Sequence, residues 1–334
     1  MSIIFFEPQR LFKLFLAQAT TMAFIIKKYT PELKEVWNAF LTTAKNATFL
    51  LNRDYMDYHS DRFHDCSLMV YNDDKLYALL PANVHNNVLY SHQGLTYGGL
   101  ITNTHATADG VCQVFKTINA YLKSQGVVKV VYKPIPWIYQ VTPAEEDLYA
   151  LINVCGASIK SRNISSTINM RQPLKWRRIR LCGANKALND GIEVRETEDF
   201  ATFWQILEEN LMLTYQAHPV HTLSEILLLK DRFPQQIRLY AAFQGDEMLG
   251  GTLLYVSQQV AHTQYISANQ QGKCKHVLDL LFKKLIQEDY KDIPYFDFGT
   301  SNEQQGRVLN TSLIYQKEGF GGRGVCYDCY EWEV

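Results

Sequence analysis

Tyr295 to Tyr330 reads YFDFGTSNEQQGRVLNTSLIYQKEGFGGRGVCYDCY, and the fold turns on this stretch. It opens as a short apolar strand, Tyr295-Phe296-Asp297-Phe298, with one aspartate inside it. Gly299 breaks the run, and a polar loop carries Ser301, Asn302 and Glu303. The spacing then predicts an amphipathic helix with Val308, Leu309, Leu313 and Ile314 on one face, stopped by Gly319 and followed by an aromatic-rich closing strand. An acidic residue in a core-grade strand, before a polar turn that opens a helix, is how α/β enzymes present side chains at the carboxyl edge of a sheet. A solvated edge carboxylate is the plainer alternative.

Upstream, the same alternation of elements recurs. Ile192 to Glu196 reads as a strand, and Phe200, Phe203, Trp204, Leu207 and Leu211 form a helical stripe. Ile237 to Phe243, the turn Gln244-Gly245-Asp246 and Glu247 to Val256 form a hairpin; a strand at Val260 to Ala268 and a helix from about Lys275 to Gln287 follow. The first half has the same order. A strand at Phe24 to Tyr29 precedes a helix with Leu33, Val36, Trp37 and Phe40 on one face, and a hairpin turns at Asn72-Asp73-Asp74. A helix over Thr107 to Gln125 and a buried strand over Val127 to Tyr132 come next, and Thr142-Pro143-Ala144-Glu145 has the form of a capping box. Two copies of strand, helix, hairpin, strand, helix, strand imply a duplicated α/β unit. Residues 1–21 are set aside as an N-terminal extension, 22–170 form the first unit, 171–190 a basic linker containing RQPLKWRRIR, and 191–334 the second unit.

FDFG, the polar loop, the Asn310-led helix and KEGFGGRG together resemble the C-terminal end of the FemAB-like branch of the GNAT acyltransferase superfamily. Asn310, Tyr315, Gly319 and Phe320 are also similar to the broader GNAT closing pattern, Asn…Tyr…Gly-Phe. The resemblance covers nearly the whole chain after Met22. It implies an α/β (α+β) fold of two tandem GNAT-like units, each a mixed, mostly antiparallel sheet flanked by helices, with a cleft between them. It also implies that Tyr315 protonates the departing thiolate; a packed aromatic is the alternative.

In GNAT enzymes coenzyme A phosphates rest on backbone amides at a helix N-terminus, where unpaired N–H groups and the helix dipole favour an anion. Here the resemblance points to Gln271, Gly272, Lys273, Cys274 and Lys275, with Asn310 on the closing helix, as donor-binding residues. Gln271 fits the usual Arg/Gln-x-x-Gly-x-Gly/Ala signature and both glycine positions depart from it, leaving Lys273 and Lys275 to supply charge. The corresponding first-half loop, His105 to Gly110, has Asp109 where phosphate would sit, so that half is expected to help hold the acceptor. The densest polar cluster of the second half runs from Tyr215 to Glu225. His218 or His221 is expected to take the proton an amine must lose, tuned by Glu225, with Asp297 as a further candidate base; capping and loop roles are the alternative.

Composition narrows the function classes. At 334 residues, 47% hydrophobic and 13% aromatic, the chain has enough material for two cored domains. A net charge of -1 gives no global basic field, so no DNA partner is expected, although tRNA stays open as a donor. Seven scattered cysteines argue for reduced thiols and a cytoplasmic setting; no ligand set for a metal is complete, and Cys326 and Cys329 point to opposite faces of a strand. No segment is apolar enough to span a bilayer, and Leu14-Phe15-Leu16 before Ala17-Gln18-Ala19 is too short for an ordinary signal-peptide core. The expected reaction is transfer of an acetyl or other acyl group from acyl-CoA to an amine of a cell-envelope or surface-glycan precursor. The alternatives are an aminoacyl-tRNA-dependent transferase building peptidoglycan cross-bridges and a catalytically silent ligand-binding protein.

Overall fold

The computed structural model describes residues 23–334; the N-terminal extension and its A-x-A-like site lie outside the described residues. The first half runs β1 (Phe24–Lys28), α1 (Lys34–Thr43), α2 (Arg53–Met56), β2 (Leu68–Asn72), β3 (Lys75–Leu80), β4 (Asn83–His85), β5 (Val88–Tyr90) and β6 (Ile101–Thr102). It continues with α3 (Ala108–Ser124), β7 (Lys129–Tyr132), α4 (Glu146–Asn153) and β8 (Ser158–Asn169). The second half runs α5 (Arg178–Asn189), β9 (Ile192–Glu196), α6 (Phe200–Tyr215), α7 (Leu223–Arg232), β10 (Ile237–Gln244), β11 (Glu247–Val256) and β12 (Val260–Ala268). It ends with α8 (Gln270–Cys274), α9 (Val277–Lys284), β13 (Tyr295–Thr300), β14 (Asn302–Glu303), β15 (Val308–Leu309), α10 (Thr311–Glu318) and β16 (Arg323–Glu333).

Local chemistry sets many of these boundaries. Thr107 caps α3 by accepting from the Gly110 amide, and Asp199 caps α6 by accepting from Thr202. Gly245, at φ 59°, makes the tight turn between β10 and β11.

The two halves are joined by an exchange of strands. A ten-stranded sheet has the order β4-β5-β7-β16-β8-β13-β12-β11-β10-β9, and β1-β2-β3-β6 form a second sheet. The last strand of the first half, β8, leaves its own half and pairs antiparallel with β13, Tyr295 opposite Asn169 and Asp297 opposite Thr167. The last strand of the second half, β16, does the converse and pairs with β7, Tyr330 opposite Tyr132 and Glu333 opposite Lys129. β8 and β16 pair with each other along their length, from Arg323 opposite Thr167 to Glu331 opposite Ser158. The halves are thus related by an approximate twofold axis through this central pair.

The cores follow the exchange. Tyr330 and Trp332 of β16 are buried with Phe115 and Tyr132 of the first half, while Ile168 of β8 is buried with Phe296 and Phe282 of the second. A further cluster holds residues of both halves, with Phe49 at 5.3 Å from the rings of both Phe233 and Tyr255. Two separately cored domains were expected; apolar burial instead runs across the axis, so a boundary at residue 170 in the sequence is no boundary in the sheet. The expected 171–190 linker is half helix: α5 packs its Gly183, Ala184 and Ala187 face against the second half. The expected helix from Val308 is likewise shorter, because Val308 and Leu309 pair with Glu303 and Asn302 and the helix starts only after Asn310.

Candidate functional site

β12 and β13 run parallel but pair at only three positions, Val260 with Tyr295, Ala261 with Phe296 and His262 with Asp297. Beyond them the strands part, and a cavity of about 620 Å³ opens in the gap. His262, Gln264 and Ile266 of β12 form one wall; Thr300, Gln316 and Lys317 form another; Phe282, Phe298 and Phe320 pack beneath. A strand edge facing such a gap offers backbone donors and acceptors to an extended guest.

Asp297 sits where the strands part, and it is fully buried. Its carboxylate takes four donors: Oδ1 accepts from Ser165 Oγ at 2.5 Å and Thr167 Oγ1 at 2.6 Å, and Oδ2 accepts from His262 Nδ1 at 2.8 Å and Tyr327 Oη at 3.0 Å. Burial alone would raise its pKa, but the His262 hydrogen bond and charge, with the Ser165 and Thr167 hydroxyls, together outweigh burial and hold it below the usual carboxylate range. Two of the donors stand on β8, a strand of the first half, so strand exchange completes the site. With Asp297 accepting from Nδ1, the His262 proton is held on that nitrogen and Nε2 is left as the basic one.

Lys317 is a buried lysine of this cavity wall. Its Nζ donates to the carbonyls of Gly299 at 2.9 Å and Thr300 at 2.8 Å. Burial lowers its pKa to about 8, against the pull of Asp297.

The residues expected from the sequence divide sharply. Asp297 is at the centre, and Lys273 reaches the cavity wall, where it donates to Asn210. The other members of the expected phosphate loop are elsewhere. Gln271 is exposed and turned toward Gln244, and Cys274 is exposed with Lys275 partly so, none of them lining the cavity. The Gly272 amide already donates to the Asn269 side chain, and an added Cβ there would come within 2.3 Å of the Leu249 carbonyl, so this glycine serves close packing on β11. Asn310 caps α10, accepting from the Leu313 amide, and donates to Glu303.

Tyr315 is elsewhere too: its ring is 55% exposed beneath the Arg177 guanidinium at 3.8 Å, and it does not line the cavity. His218 is exposed. Glu225 closes the capping box of α7 with Thr222 and bridges to Arg62 at 2.6 Å, which ties the halves together. His221 is buried and bonds Tyr265 Oη through Nδ1 at 2.7 Å. Tyr265 packs against Trp204, and neither Tyr265 nor His221 lines the cavity. His262 and Lys317 went unassigned in the sequence. Lys317 carried a weak signal within KEGFGG; His262 carried none, since its pairing opposite Asp297 is a long-range contact.

His221 belongs to a chain of packed rings that also contains the half-buried Tyr58 and the buried His59 and His92. Both ring nitrogens of His59 are buried without a partner. Burial is the main cause that lowers His59 and His221 to about 4 and His92 to about 3, with Arg62 lowering both His59 and His221 further. In the unfolded chain these histidines take up protons near pH 6.5, while in the folded chain they stay neutral to much lower pH. Stability is therefore full above about pH 6.5 and falls as pH drops toward 4, by about 1.4 kcal/mol per unit for each group. Denaturant titrations at pH 7.5, 6 and 5 should show this decline, and the His59→Phe variant should show a shallower one.

Residues 175–305 match the family model described as acetyltransferase (GNAT) domain. No curated protein matches the sequence at a significant level. Among solved structures, the chain is similar to that of FemX, at 10% identity and a TM-score of 0.65, over 93% of this chain and 97% of that one. It is similar also to L-PGS from Bacillus licheniformis, at 12% identity and a TM-score of 0.58, over 91% of each chain. A tandem GNAT protein from the clavulanic acid biosynthesis pathway aligns over 93% of this chain and 98% of its own, at 10% identity and a TM-score of 0.50.

Proposed function

We propose that this chain, a GNAT-fold acyltransferase whose duplicated units resemble FemX, moves an acyl group from acyl-CoA in the β12–β13 cavity to an amine, with His262 as general base. One observation carries the reading: a buried carboxylate with four donors orients a histidine at the apex of a cavity within the matched domain. In the step, His262 Nε2 takes a proton from the amine as its nitrogen attacks the acyl carbon. The C–N bond forms, the C–S bond breaks, and the electron pair leaves on sulfur. Lys317 stands at the cavity wall to meet the negative charge that develops.

The acceptor has a natural approach from the first half. A second cleft of about 480 Å³ lies beside β5, β7 and β16, in the position that the approximate twofold relates to the donor cavity. It shares Thr96, Thr300 and Tyr327 with that cavity and is lined by Lys133 and Lys160. In this half Tyr90 and Val131 pair where His262 and Asp297 pair in the other, so it has no comparable base. We place the amine there, on a cell-envelope or surface-glycan precursor, in keeping with the FemX and L-PGS likenesses. Seven cysteines without a disulfide suit a cytoplasmic setting, and among the described residues no helix is long and apolar enough to cross a membrane.

The scarcity of free amides around Gly272 favours one rival donor, aminoacyl-tRNA, which would need fewer contacts to a pyrophosphate. Calorimetry with acetyl-CoA and with charged tRNA at two salt concentrations separates them. The expected result is salt-tolerant binding of acetyl-CoA, weakened about tenfold by Lys273→Ala. Binding of tRNA alone, with a steep loss of affinity at higher salt, would establish the rival.

A further inference from the structure

The Asp297 carboxylate receives a hydrogen bond that the proposed chemistry leaves unused. Tyr327 Oη lies 3.0 Å from Asp297 Oδ2 and 3.2 Å from Tyr139 Oη, and the Tyr139 ring packs on Tyr97 at 4.8 Å between centroids. Tyr97 Oη in turn lies 3.0 Å from Thr48 Oγ1. All of these side chains are buried. A phenol has one proton to give, and a carboxylate only accepts. Tyr327 must therefore donate to Asp297, and Tyr139 must donate to Tyr327, which sets a single direction for the chain. Tyr327 belongs to β16, while Tyr139, Tyr97 and Thr48 are residues of the first half.

We propose that Tyr327 and Tyr139 are positioning residues for acyl transfer: a one-way chain of hydroxyls from the first half fixes Asp297 and, through it, the tautomer and basicity of His262. Each donor that Asp297 accepts lowers its pull on the His262 N–H. The groups facing this pair are Lys317 from α10, Ser165 and Thr167 from β8, Tyr327 from β16, and Tyr97 and Tyr139 from the loops of the first half. Burial, the first cause in each case, pushes the Tyr139 and Tyr327 phenols well above their ordinary range, so both remain donors.

The inference rests on the proposed role of His262, and its test does not depend on turnover. Nitrogen NMR of the full chain, with labelled histidine, reads the tautomer and titration midpoint of His262 directly. In the unaltered protein the Nδ1–H tautomer is expected. Losing a hydrogen bond to a charged group should raise the midpoint by about one unit in Tyr327→Phe, with a smaller rise in Tyr139→Phe. If acyl transfer is also observed, the acidic limb of the kcat/KM profile should move by the same amount while donor KM is unchanged. An Nε2–H tautomer in the unaltered protein, or an unmoved midpoint in the variants, overturns the inference. Should Tyr327→Phe fail to fold, the midpoint in Tyr139→Phe decides alone, because that hydroxyl lies one bond further from the site. An absence of turnover with the tautomer and shifts as stated would reject the reaction and leave the hydroxyl chain standing.

Discussion

His262→Gln should lower kcat for acyl transfer by about a hundredfold or more, while donor affinity stays within about twofold of the unaltered protein. Glutamine keeps a side chain of similar reach and can still donate to Asp297, so the fold and the cavity wall are preserved. What it lacks is a nitrogen basic enough to accept a proton near neutral pH. The loss should shrink above pH 9, where more of the acceptor amine is already deprotonated. A variant with full activity at pH 7 would place the base elsewhere.

Asp297→Asn should be more damaging, because it acts on both activity and stability. The amide can face His262 with its NH2 group, in which case the imidazole is driven to the wrong tautomer, or it can turn that group toward Ser165 and Thr167, which already donate. Either orientation leaves a buried donor without an acceptor, at a cost on the order of 3 kcal/mol. Loss of the orienting carboxylate in a comparable catalytic pair lowers turnover by roughly three to four orders of magnitude, and a loss of that size is expected here. The pH dependence of stability should change as well. Because the folded state holds Asp297 below its ordinary pKa, the carboxylate stabilises the protein above about pH 4, and this contribution is lost as pH falls through the lowered value. The Asn variant should lack that acid-side loss. Thermal denaturation between pH 3 and 7, beside single-turnover kinetics, measures both effects.

The sequence was most legible where a signal is local. Periodicity located the helices of both halves, the Gln244-Gly245-Asp246 turn located a hairpin, and an aspartate inside an apolar strand marked Asp297 before any contact was known. The FDFG to KEGFGGRG run marked the GNAT-like fold. The exchange of β8 and β16 carried no such signal, since strands that pair across more than 100 residues read the same from either side of a sheet. That exchange is why the partners of Asp297 were hidden: Ser165, Thr167 and Tyr327 lie on exchanged strands, and His262 meets it through a parallel pairing only three residues long. The polar cluster around His218 to Glu225 was visible as composition, but its one buried member, His221, bonds Tyr265 and does not line the cavity. Tyr315 lies one helical step from Gln316 and Lys317, the residues of α10 that line the cavity.

Hydrogen–deuterium exchange with acetyl-CoA bound, read peptide by peptide, tests most directly whether donor and base share the β12–β13 cavity. Protection is expected over residues 262–268 and 299–317, with the first-half segment 129–133 unchanged until an amine acceptor is added. Protection confined to the first half, or none in the second half with either acetyl-CoA or charged tRNA, would contradict an acyl-transfer centre at His262 and Asp297.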